Sequence, residues 1–131
     1  MPSIFSKIVA GEIPSYKIAE SIDFLAFLDV FPLRRGHVLV IPKKEVDHLF
    51  SMEKEEYLAL FEFTQKIAQA LHKAFPEAQK IGMAVIGLEV PHAHIHLVPI
   101  SVVTDLNFAQ PKLTLPANEL IEIAERIKAQ L

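Results

Sequence analysis

The sequence predicts an α+β fold: about five strands in a mainly antiparallel sheet, one long helix and a C-terminal helix. Three patterns predict it. Two strand pairs with turn residues between them flank the middle of the chain. A stretch over 51–75 repeats apolar residues at spacings of three and four, and a second such stretch closes the chain at 118–131.

The elements follow in order. Ser3 caps a short helix in which Ile4, Phe5, Ile8 and Val9 fall at helical spacing, and Gly11 ends it. Tyr16–Ala19 and Phe24–Leu28 are strands joined by the turn Ser21-Ile22-Asp23. Pro32 to Gly36 is a loop. His37–Ile41 is a β-branched strand of buried character, stopped by Pro42. In Ser51–Phe75 the apolar stripe is Tyr57, Leu60, Phe61, Thr64, Ile67, Ala68, Leu71 and Phe75. Glu53, Glu55, Glu56 and Lys66 fall mainly opposite it, and Pro76 closes the helix. Ile81–Ile86 and His92–Ile100 are strands, with the five residues Gly87–Pro91 as a hairpin connection. Residues 101–117 are polar and irregular. Asn118–Leu131 carries Leu120, Ile123, Ala124, Ile127 and Leu131 on one helical face.

With 131 residues, 51% hydrophobic and 22% charged, the chain suits one domain over 1–131 with a real core. A net charge of −3 offers no basic face for duplex nucleic acid, so none is expected as a partner. A small phosphate-bearing ligand needs only a local positive pocket. The absence of cysteine excludes disulfides, thiolate zinc sites and cysteine nucleophiles. The N-terminal stretch lacks the basic-then-apolar layout of a secretory signal, and no apolar run reaches the roughly 20 residues that span a bilayer. A cytoplasmic location without a membrane partner is therefore expected.

Half of the six histidines fall within His92-Ala93-His94-Ile95-His96. In a strand, alternate side chains point the same way. The three rings would share one face, about 6–7 Å apart in succession, while Ala93, Ile95 and Leu97 face apolar packing. Three readings compete. A solvated face would normally mix Thr, Lys and Glu rather than repeat histidine. A metal site could use a His-x-His pair, but the three positions span about 13 Å, so another ligand would be needed, with Glu89, Asp47 and His48 available. In nucleophilic catalysis one imidazole attacks while its neighbours orient it and bind charge. An unperturbed imidazole, with a pKa of about 6.5, is largely neutral and nucleophilic at pH 7.

His92-Ala93-His94-Ile95-His96-Leu97-Val98 resembles the signature of the histidine triad family, in which three histidines alternate with apolar residues. Ser3–Pro14 is similar to the opening helix and turn of that family. Phe24–Asp29 and Gly36–Lys43 resemble its ribose-side strands, so the likeness runs over roughly residues 3–100. The resemblance implies a HIT-like α+β fold, a twofold homodimer, no cofactor, and a small nucleotide as substrate. It implies hydrolysis or transfer of a nucleoside monophosphate from a phosphoramidate, a dinucleoside polyphosphate or a nucleotide–sugar. His94 would be the nucleophile and form a nucleotidyl-histidine intermediate. His96 would meet the phosphate or leaving group, His92 would hold the His94 ring directly or through backbone, and His37 would support the row. Asp29 matches the ribose-binding aspartate, and Phe5, Ile8 and Val30 match or neighbour base-pocket positions. Two alternatives stand beside this enzyme: a purine-nucleotide-binding regulatory module with little turnover, and a metal-dependent hydrolase using the His-x-His pairs.

The sequence departs from the family pattern in two places. Many members carry an asparagine and a Gly-Gln-Ser/Thr-type loop before the triad, touching the phosphate. Here the segment reads Val85-Ile86-Gly87-Leu88-Glu89-Val90-Pro91, with Glu89 where those members have a hydroxyl. A carboxylate beside phosphate would repel it unless protonated, swung away or paired with a cationic substrate group, so Glu89 is counted among the nucleotide-site candidates. Some members also bind zinc through Cys-x-x-Cys and a later histidine. Those positions are Ser3, Ser6 and Glu45 here, and no metal is expected. Arg34 and Arg35 could bind distal substrate or simply solvate their loop.

Overall fold

The computed structural model describes residues 2–131. Its strands are β1 (Lys17–Glu20), β2 (Phe24–Leu28), β3 (Val38–Pro42), β4 (Lys80–Ala84) and β5 (Ile95–Ile100). Its α-helices are α1 (Ile4–Val9), α2 (Lys54–Ala74) and α3 (Ala117–Lys128), with short 3-10 turns at Leu49–Ser51 and Val103–Leu106. The five strands form one antiparallel sheet in the order β1-β2-β3-β5-β4. The α+β class therefore holds, with the predicted strand number and long helix. Among the described residues no helix is long and apolar enough to cross a membrane.

β2 and β3 are apolar at every position except Pro42 and are buried along their whole length, because both faces of the sheet are covered there. On one face Ala26, Leu28, Val38, Val40, Ile95 and Leu97 pack under α2 and α3 in the larger core cluster. α2 contributes Leu60, Ile67, Ala70, Leu71 and Ala74. Burying each of the larger ones is worth about 2–3 kcal/mol. On the other face α1 lays Phe5 over Leu25, Phe27, Leu39 and Ile41, and leaves room beside it for histidines.

Several boundaries differ from expectation. α2 begins at Lys54, after the separate 3-10 turn, and Phe75 lies just past its last residue. Of its predicted stripe, Tyr57, Phe61 and Ala68 are only partly buried. β3 continues through Pro42, which pairs with Phe24. The largest correction concerns the histidine row. β5 begins at Ile95, not His92, and β4 ends at Ala84, so residues 85–94 form the connection and the five-residue hairpin is wrong. The ladder partners run out: Ile95 pairs with Val40 and His96 with Ala84. Upstream, the His92 N–H donates to the Val90 carbonyl and the Ala93 N–H to the Val46 carbonyl.

Candidate active site

Four histidines meet on the α1 face of the sheet, and all four are buried. Leu39 pairs with His96 across β3 and β5, and His37 lies two residues before Leu39, on the same side. This register sets His37 Nε2 2.9 Å from His96 Nδ1. The ring centroids of His94 and His96 are 4.9 Å apart, and Phe5 stands edge-on to His94 at 4.9 Å and to His92 at 5.9 Å. The three rings thus line one face, although only His96 is in the strand.

Partners with fixed roles set the tautomers. The Leu33 N–H donates to His37 Nδ1 at 3.0 Å, so the His37 proton sits on Nε2 and is donated to His96 Nδ1. His96 must then carry its own proton on Nε2. His94 Nδ1 lies 2.7 Å from the His92 carbonyl, which can only accept, so His94 Nε2 is left with a bare lone pair. A bare nitrogen beside an N–H donor is the layout of a nucleophile with an adjacent hydrogen-bond donor.

These assignments need neutral rings. Burial pushes the His37 imidazole down to about 4, with the charges of Lys112 and His94 adding to it. Burial, then His37, His94 and Lys112, push His96 down to about 3. His92 is lowered too, chiefly by burial, although the Pro42 carbonyl and Glu45 oppose this. Asp29 Oδ2 lies 3.7 Å from His37 Nε2, but with His37 neutral the contact is not an ion pair. Burial raises the Asp29 carboxyl, partly offset by the Phe31 N–H bond and the charges of Lys112 and His94.

His92 is held at both ring nitrogens. Its Nε2–H donates to the Pro42 carbonyl at 2.8 Å, and its Nδ1 accepts from Ser3 Oγ at 2.8 Å. Ser3 Oγ also accepts from the Ser6 N–H, capping α1. Glu45 Oε1 accepts from the Ser3 N–H at 2.5 Å and from Ser6 Oγ at 2.7 Å. Ser3, Ser6 and Glu45, the positions where the resemblance implies zinc in some relatives, therefore do assemble, and they do so against His92. They do not fit that metal. Neutral hydroxyls replace thiolates, and every donor is already engaged in a hydrogen bond.

The remaining predicted residues divide. Asp29 lies beside His37, Phe5 and Ile8 belong to the apolar cluster against His94, and Val30 is exposed next to Asp29. Glu89 stays on the exposed connection, and no hydrogen bond or ion pair ties it to a histidine among the described residues. Arg34 is committed to Asp105 at 2.6 Å, and Arg35 contacts Glu119 at 3.3 Å. Among the described residues the one trio of ligand atoms within 4.8 Å is Asp29, His37 and His96, not a His-x-His pair with Asp47, His48 or Glu89. Two of those atoms already bond each other. Sequence reasoning missed Phe108, whose ring lies 4.6 Å from His96, and Lys112 beside it. A lone aromatic in the polar stretch 101–117 was the available signal.

Fold and site together define a class of protein: an antiparallel sheet carrying a hydrogen-bonded imidazole row on its less covered face. A family model described as HIT domain matches residues 10–101, and the chain belongs to the HIT family. Protein hit of Bacillus subtilis is 37% identical over 103 residues, covering 73% of this chain and 69% of that protein. Adenosine 5'-monophosphoramidase hnt1 of Schizosaccharomyces pombe is 33% identical over 99 residues, covering 76% and 74%. A Hit-like protein involved in cell-cycle regulation from Bartonella henselae superposes with a TM-score of 0.84 at 34% identity, over 98% of this chain and 96% of that one.

Proposed function

We propose that the chain hydrolyses a nucleoside 5′-phosphoramidate or a related nucleotidyl compound through His94. The observation that carries this is the bare His94 Nε2, fixed by the His92 carbonyl, next to the His96 Nε2–H. Family membership and the phosphoramidase relative support a nucleotide hydrolase-type activity. His94 Nε2 attacks the α-phosphorus, forming a P–N bond. The bond to the leaving amine breaks as that nitrogen takes a proton from solvent, while the neutral His96 keeps its Nε2–H and donates it as a hydrogen bond to the phosphate or the leaving group. The His94 ring becomes a cation, and its Nδ1–H bond to the His92 carbonyl strengthens as charge develops. Water then attacks phosphorus and gives its proton to solvent, and the His94–phosphorus bond breaks, returning a neutral imidazole and releasing the nucleoside monophosphate. No step uses a metal. Nucleotide seating follows from the same face, with Asp29 taking the ribose hydroxyls and Phe5, Ile8 and Val30 bordering the base. We further propose a homodimer, supported by the apolar exposure of Met83 on the edge strand β4 and of Ile86 and Leu88 beyond it.

Adenosine 5′-phosphoramidate incubated with the protein in excess chelator should be converted to AMP. Binding without turnover would favour a regulatory nucleotide-binding module, and turnover only after metal is restored would favour the metal-dependent reading. Asp29→Ala should weaken AMP about tenfold or more, the worth of a hydrogen bond to a charged group, and weaken 2′-deoxy-AMP less. Titration calorimetry with both ligands checks this. An equal loss on the two would remove Asp29 from the ribose role.

A further inference from the structure

We propose that Lys112, carried on the strap Asn107–Leu113 that closes over the His37–His96 pair, is the cation that binds the phosphate of a nucleoside 5′-phosphate at this site. The inference rests on the nucleotide reading above and adds the residue that meets the substrate's charge.

The need is plain from the site itself. A phosphate requires compensating positive charge and donors around its oxygens. His37 and His96 are held neutral, Asp29 can only add negative charge, and the connection before His92 offers Glu89 and no polar neutral side chain. The cations of the neighbouring loops are occupied. Arg34 pairs with Asp105 at 2.6 Å, Arg35 with Glu119 at 3.3 Å, Lys43 with Glu20 at 2.7 Å and Lys44 with Glu56 at 3.9 Å.

Lys112 is differently placed. Among the described residues no carboxylate lies within ion-pair distance of it, and its ammonium donates only to the Phe108 carbonyl, at 2.9 Å. That ammonium also lies 5.4 Å from the centroid of the Phe108 ring. The same ring stands edge-on to His96 at 4.6 Å and to His37 at 6.2 Å. One aromatic ring is therefore shared by the Lys112 ammonium and by both rings of the His37–His96 pair. The strap is anchored beyond it by the Leu113 N–H, which donates to the Pro32 carbonyl at 2.8 Å, three residues after Asp29. The Lys112 charge is felt at Asp29, His37 and His96 alike, so it lies within electrostatic reach of all three. A flexible four-carbon stem can swing from a single carbonyl bond to an arriving phosphate.

The test is titration calorimetry of the native chain, Lys112→Met and Lys112→Arg with AMP and with adenosine, which lacks the phosphate. Lys112 is exposed, and matching melting curves confirm that the variants fold. Lys112→Met should bind AMP about 10–100-fold more weakly, while adenosine changes less than about twofold and Lys112→Arg recovers most of the AMP affinity. Unchanged AMP affinity in Lys112→Met, or an equal loss on both ligands, overturns the assignment while leaving the nucleotide reading intact. A native chain that binds neither ligand overturns that reading and the assignment with it.

Discussion

His94→Ala is expected to cut phosphoramidate turnover by at least about a thousandfold, because the variant loses the only imidazole nitrogen of the row that is both bare and unpartnered. His37 Nε2 and His96 Nδ1 bond each other, and both nitrogens of His92 are held by Ser3 and Pro42. None can take over the attack without breaking a buried hydrogen bond. AMP affinity should change little, since the ribose and base contacts lie elsewhere. Single-turnover assays with the purified variant separate the two effects. Turnover at the native rate would remove His94 from the nucleophile's role, and an affinity loss as large as the rate loss would make it a binding residue instead.

Gly36→Ala is expected to destabilise the fold by about 2–4 kcal/mol. Gly36 has φ +89°, a conformation that costs an L side chain about 1–2 kcal/mol. Its environment is also closed: an added Cβ would lie 2.8 Å from Phe75 Cε2 and 3.1 Å from Pro99 Cγ. Phe75 is buried at the end of α2, and Pro99 is part of β5, so neither can move aside freely. The residue therefore seats the start of β3, and with it His37, against the helix layer. Gly87 is the control, since it also has positive φ but meets nothing within 4 Å. Urea denaturation of both alanine variants measures the difference. Equal losses at Gly36 and Gly87 would show that backbone conformation alone matters and that the Phe75 contact contributes nothing.

Residues whose structure follows from nearby neighbours were legible. Ser3 reads as a helix cap and caps α1 through the Ser6 N–H. Phe24–Leu28 reads as a strand and is β2 to the residue. The histidine row reads as three rings on one face, and the rings do line one face. What misled was the assumption that alternation implies a strand. His92 and His94 precede β5, because a ladder needs partners, and β4 ends at Ala84, opposite His96. Likewise Arg34 reads as a solvated or substrate-binding cation, yet its partner Asp105 is 71 residues away and invisible to local pattern.

The sequence by itself determined the inventory: six imidazoles, three of them in one alternating apolar row, no cysteine, and Ser3, Ser6 and Glu45 where the resemblance implies zinc ligands in some family members. Only tertiary structure decided which nitrogen of each ring is free. A proton's position on an imidazole depends on the group facing it, and those groups come from distant points of the chain. The Leu33 N–H meets His37, Pro42 and Ser3 grip His92, and His37 crosses from β3 to His96. Composition can supply reactive groups, but orientation arises from hydrogen bonds that form only once the sheet has paired.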